Sequence, residues 1–178
     1  MHEPSLLAEL TRLVVGLVFA FSALGKLTAL RTFSLNLVES FRFPPHLARA
    51  AGALLILFEA TLSVVLLAAP ALGQPAMTLA LASLGLFTLA LAWRRLQAGQ
   101  VRCSCFGDSD RPVSAYDFIR NLALILTMAG YLAQGAEPAA LAASTQAALA
   151  GTALVLAVFT IYFHDTMELL FHSGRGRA

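Results

Sequence analysis

The sequence is short of charge. Asp, Glu, Lys and Arg make up only 12% of its 178 residues, about half the share of an ordinary soluble domain. So few polar groups cannot cover a water-soluble globule. Charge of one sign is also missing: twelve basic and ten acidic residues leave a net +2, too little to neutralise a run of phosphates, and a nucleic-acid partner is excluded. The first residues, Met1 to Glu9, lack the basic region of a signal peptide. No His-Glu-x-x-His, P-loop or dinucleotide fingerprint occurs, and no serine–histidine–acid order can be argued. Alternating, turn-bounded polar segments are missing as well, which excludes a soluble β domain. Disorder is excluded by the 58% of hydrophobic residues. An integral membrane protein remains.

What is present is a series of long apolar runs. A spanning helix needs about 20 mostly apolar residues, and five segments approach that length: 13–30, 50–69, 76–93, 116–133 and 141–163. They predict an all-α integral membrane protein of one domain over residues 1–178, a four-helix transmembrane bundle plus a fifth spanning helix. Between the first two runs, Phe33, Leu37 and Phe41 recur every four residues, the period of an amphipathic helix lying on the membrane surface. Small residues at four-residue spacing, Gly16 and Ala20, and Ala143, Ala147 and Gly151, suit close helix packing.

Basic residues near spans mark the cytoplasmic side. With five spans, Arg31, Arg42, Arg49, Arg94, Arg95, Arg102, Arg111, Arg175 and Arg177 share one side, against Arg12 on the other. The chain is therefore expected in the inner (plasma) membrane as a multi-pass protein. Its N-terminus would lie outside and the cysteine-bearing loop at the cytoplasmic face.

Two groups of residues could carry chemistry. The first is Arg102-Cys103-Ser104-Cys105-Phe106-Gly107, in a polar loop ahead of a helix opened by the capping-box pair Ser114 and Asp117. A thiolate is the reactive form of cysteine, favoured by a neighbouring cation such as Arg102 or by a helix N-terminus. Two thiols one residue apart close a small ring, and strained disulfides exchange readily. Cys103 and Cys105 thus form a candidate redox pair; soft-metal binding stands as the alternative. The second group comprises Lys26, Glu59 and Arg120, ionisable residues inside the runs, with Asn121 beside the last. Intramembrane charge is costly and usually faces the bundle interior at a functional site. Lys26 and Arg120 are expected near the level of the cysteine loop, and Glu59 midway along its span, partnered by one of them. His164, Glu168 and His172 fall on one helical face, a spacing more often the wet face of an interfacial helix than a metal site, and no metal ligand is assigned.

The segment Ser22-Ala23-Leu24-Gly25-Lys26-Leu27, with Phe43-Pro44 ahead of the run bearing Glu59, resembles the DoxX-like superfamily. With Cys103-Ser104-Cys105-Phe106-Gly107 and Arg120-Asn121 added, the chain is similar to the methylamine utilisation protein MauE family over roughly 10–132. The resemblance implies a small helical-bundle membrane protein associated with thiol-disulfide chemistry, acting alongside a thioredoxin-like partner. It maps the family's cysteine motif onto Cys103 and Cys105, and its embedded polar positions onto Lys26, Glu59, Arg120 and Asn121.

The expectation is therefore a membrane thiol-disulfide oxidoreductase. Cys103 would face a thioredoxin-like protein or low-molecular-weight thiol, and Cys105 would resolve the mixed disulfide. One Cys-x-Cys pair is one two-electron couple, so a second redox partner must be external: another thiol, or a quinone lodged among the helices near Phe106, Trp93 and Lys26. The competing expectation is a soft-metal binding or transport protein using both thiolates with His46, His164 or His172.

Overall fold

The computed structural model describes residues 6–98, 113–135, 141–163 and 166–167, and these fold without a strand. Six α-helices follow in order: α1 (Leu6–Thr28), α2 (Leu30–Phe41), α3 (Pro45–Ala68), α4 (Gly73–Ala98), α5 (Ala115–Ala133) and α6 (Ala143–Ile161). Each of the five expected spans falls on one of the longer helices, with ends displaced by up to seven residues. Four stretches are long and apolar enough to cross a membrane, Leu6–Thr28, Pro45–Ala68, Pro70–Gln97 and Ala143–Ile161. α5 is the less apolar one, because its first two turns hold Asp117, Arg120 and Asn121.

Local chemistry sets the helix ends. Pro45 occupies the first position of α3, where its missing N–H costs no hydrogen bond and its fixed φ already suits the helix. Arg42 ends α2 in the left-handed region at φ 54°, and the Phe43 N–H reaches back to the Leu37 carbonyl at 3.1 Å. Asp117 caps α5: its carboxylate accepts from the Ser114 N–H at 2.9 Å and from the Ser114 hydroxyl at 3.1 Å. That is the carboxylate half of the capping box expected from the sequence.

α1 is the central element and packs against α3, α5, α6 and the start of α2. Val15, Leu66, Met77 and Met128, from four different helices, are sealed at its core. α1 and α3 approach closely at Gly16, where an added Cβ would lie 2.9 Å from the Leu67 side chain. Further along the same pairing, Gly52 admits Phe33 of α2, whose ring would stand 3.3 Å from a Cβ there. α2 therefore packs along the first half of α3. Its Phe33 and Asn36 are buried.

The surface is inverted relative to a soluble protein. Leu54, Leu57, Val64, Leu86, Leu89, Leu126 and Val155 are all more than 60% exposed, whereas Arg12, Lys26, Arg94, Arg120 and Asn121 are buried. Monomeric soluble proteins rarely expose apolar surface on that scale, and lipid is the solvent that suits it. The small-residue expectation for the last span needs correcting. Ala153 and Ala157 are its sealed positions, while Ala143, Ala147 and Gly151 are exposed. At about 100° per residue the two sets centre about 100° apart around α6.

Replacing Gly16 by Val should lower the thermal midpoint in detergent, at an overpacking cost of about 1–3 kcal/mol. Gly85→Ala, whose added methyl meets nothing within 4 Å, should leave it unchanged or raise it. Equal midpoints for Gly16→Val and wild type would contradict the close α1–α3 contact.

Candidate functional site

Lys26, Glu59, Arg120 and Asn121, separated by up to 95 positions in the chain, line one small cavity between α1, α3, α4 and α5. The α1–α3 wall carries the charge pair. Lys26 Nζ donates to Glu59 Oε2 at 2.7 Å, to Glu59 Oε1 at 2.9 Å and to the Ser22 hydroxyl at 2.5 Å. Its side chain is 3% exposed and that of Glu59 12%. The Phe33 ring lies 5.8 Å from the ammonium, within range of a cation–π contact. Lys26 does not snorkel to an interface.

The α5 wall is a second polar unit. Arg120 bonds to Asn121 Oδ1 through Nη2 at 3.1 Å and through Nε at 3.3 Å. Its Nη1 lies 3.8 Å from Asp117. Asn121 in turn donates to the Thr88 hydroxyl of α4 at 3.1 Å. Ser22 and Ser83 complete the polar lining, with Val18, Phe19, Phe87 and Leu124 closing the rest. The cavity holds about 60 Å³. That volume, with several polar partners around it, suits a few ordered waters or one small polar group.

Lys26 lies in the last turn of α1 and meets a residue well along α3. Glu59 lies about 21 Å along α3 from its first residue at 1.5 Å per residue, well inside the helix, and Lys26 is level with it. The sequence places Lys26 at the end of an apolar run, and that run ends at the α1–α2 break. α2 then continues along α3. Arg120, about 8 Å into α5 by the same rise, is nearer a helix end.

Two features were missed in the sequence. Arg12, treated only as a topology marker, is 4% exposed. It bonds to Glu9, with Nε–Oε2 at 3.0 Å, and donates to the Leu66 carbonyl, one of the carbonyls that the end of α3 leaves without a helical partner. The i, i+3 spacing of Glu9 and Arg12 was the available signal. Arg95 is the second. It donates to the Val113 carbonyl at 2.9 Å and lies over the Phe118 ring at 5.7 Å, so the end of α4 is tied to the start of α5. Arg102, Cys103 and Cys105, along with Phe106, His164, Glu168 and His172, lie outside the described residues. His46 stands exposed in the first turn of α3.

An all-helical bundle with lipid-suited flanks and a charged interior defines a multi-pass membrane protein. A family model described as methylamine utilisation protein MauE matches residues 4–134, and the chain belongs to the MauE family. Neither curated proteins nor solved structures provide a match.

Breaking the buried pair from one side should be costly. Lys26→Met leaves Glu59 without its ammonium, and the loss is expected at about 3–5 kcal/mol in thermal or denaturant unfolding. The double variant Lys26→Met/Glu59→Leu should recover most of that loss, because neither charge is then buried alone. A double variant as unstable as the single one would show that the two side chains do not act as a pair.

Proposed function

We propose that this chain is a membrane thiol-disulfide oxidoreductase in which Cys103 and Cys105 are the redox pair. Lys26, Glu59, Arg120 and Asn121, with Arg102 beside the thiols, form the supporting polar site. The observation that carries this reading is the convergence of four polar side chains on one buried cavity, two of them in the opening turns of the helix that the cysteine segment leads into. Family membership and the Cys-Ser-Cys-Phe-Gly sequence agree with it. Intramembrane charge is rarely retained without a use, and a dithiol couple needs groups that take and return protons.

In the proposed exchange, the Cys103 thiolate attacks a disulfide sulfur of a thioredoxin-like protein or small thiol. A mixed disulfide forms and one partner sulfur leaves as thiolate. Cys105 then attacks Cys103, forming the Cys103–Cys105 disulfide and releasing the second partner sulfur. Two electrons pass from the chain to the partner, and the reverse sequence oxidises the partner. The polar cavity receives or supplies the protons. The family name refers to methylamine utilisation, which makes that process one physiological setting for this chemistry.

The same proposal includes one domain with five spans, α1, α3, α4, α5 and α6, in the inner membrane. The cysteine segment faces the cytoplasm and the N-terminus lies outside, as the arginine bias favours. α5 is the span with a polar start, and its charges turn inward to the cavity.

Cys105→Ser should trap a mixed disulfide through Cys103, visible as a thiol-sensitive adduct on a non-reducing gel. Cys103→Ser should trap far less. Full activity of both single variants in a thiol-dependent assay would defeat the proposal. Membrane-impermeant maleimide on intact cells should leave both cysteines unlabelled; labelling from outside would reverse the sidedness and move the chemistry to extracytoplasmic proteins.

A further inference from the structure

A second, larger cavity of about 320 Å³ opens between α1, α5 and α6, a volume within the range of small-molecule sites. Its walls are apolar, built from Val14, Ile119, Ala123, Leu156, Phe159 and Phe163 among others. Thr127 and Thr160 also line it, but their hydroxyls donate to the Ala123 and Leu156 carbonyls of their own helices. Among the described residues that line it, Arg120 is the one charged side chain. Arg120 and Leu124 also line the small polar cavity, so these two residues form a common wall between the groove and the polar interior.

We infer that this groove binds the ring of an isoprenoid quinone, with a ring carbonyl accepting a hydrogen bond from Arg120 and the apolar tail running out between α5 and α6 toward lipid. The inference rests on the thiol reading, which leaves one dithiol couple in need of a second redox partner. Two observations favour a quinone over other lipids. The groove is apolar and large enough for a substituted ring. The positive charge is already offset by Asp117 at 3.8 Å, which suits a neutral carbonyl better than a phosphate. Of the residues the sequence offered for a quinone, Trp93 is exposed on α4 and Lys26 lines the smaller cavity.

The step balances without a further reagent. The dithiol gives up two electrons and two protons, two S–H bonds break and one S–S bond forms. The quinone takes both electrons and both protons and becomes the quinol. Arg120 holds the ring oxygen where the first proton arrives, and the polar cavity behind it is continuous with Glu59 and Lys26.

The test uses the full-length protein in phosphatidylcholine nanodiscs, with decylubiquinone as probe and decylbenzene as the tail-only control. Saturable binding of one decylubiquinone per chain is expected, with decylbenzene failing to compete. Ala123→Phe, which fills the groove at an exposed position of α5, should weaken binding at least tenfold while leaving the melting temperature unchanged. Arg120→Gln should weaken it by about tenfold, the worth of one charge-assisted hydrogen bond. An azido-quinone should label peptides of α5 or α6. Equal competition by decylbenzene, indifference to Ala123→Phe, or labelling confined to α4 would overturn the site. Specific binding to a protein whose thiols do not reduce decylubiquinone would keep the site and defeat the oxidoreductase reading. Absence of binding beside an intact dithiol couple would do the reverse.

Discussion

Two opposite charges held between α1 and α3 set terms that the rest of the bundle must meet. A lone ammonium or carboxylate at that depth would be prohibitively costly, so Lys26 and Glu59 are stable only together, and their 2.7 Å contact fixes how the two helices are aligned along their length. Once that alignment is set, Gly16 must meet Leu67 and Gly52 must receive Phe33. The break after Thr28 follows as well, because α2 has to keep covering α3 beyond the point where α1 stops. On the far wall, Arg120 brings a further positive charge near the pair, and Asp117 and Asn121 hold it in place. The apolar core around Val15, Leu66 and Met128 supplies packing, but in lipid it lacks the hydrophobic driving force that water gives a soluble core.

Much of this was legible in the sequence, for physical reasons that can be named. Long apolar runs with few charges have few solutions in hydrocarbon other than helices, and the helices fall where the runs do. The inward turn of Lys26, Glu59, Arg120 and Asn121 follows from the cost of showing charge to lipid, and the Ser114–Asp117 pair marks the start of α5. Other features depend on partners that no local pattern reveals. The level at which Lys26 meets α3 depends on how α1 and α3 pair. Burial of Arg12 depends on a carbonyl 54 positions away, at Leu66. The packed face of α6 is set by Ala153 and Ala157, and its several small residues offer more than one such face. The cysteine motif stands out in the sequence, while its geometry lies outside the described residues.

A polar interior of this kind has a consequence for redox chemistry in a membrane. On the proposed reading, each dithiol oxidised releases two protons. A cavity lined by a carboxylate, an ammonium, a guanidinium and an amide holds polar groups and room for ordered water out of contact with lipid. Its position at the opening turns of α5, with Arg95 tying α4 to Val113 and Phe118, sets it near the two ends of the segment that carries the thiols. The ion pair fixes the helix alignment and, on the proposed reading, keeps one wall of that cavity polar.

The most direct measurement of that account is a redox titration of the purified, full-length protein, reading the thiol state of Cys103 and Cys105 by alkylation and mass across a range of pH. The account predicts a single two-electron transition with a defined midpoint, whose pH dependence changes in the Lys26→Met/Glu59→Leu variant while the protein stays folded. Absence of any two-electron transition would contradict the thiol chemistry. An identical midpoint and pH dependence in that variant would contradict the link between the buried pair and the thiols.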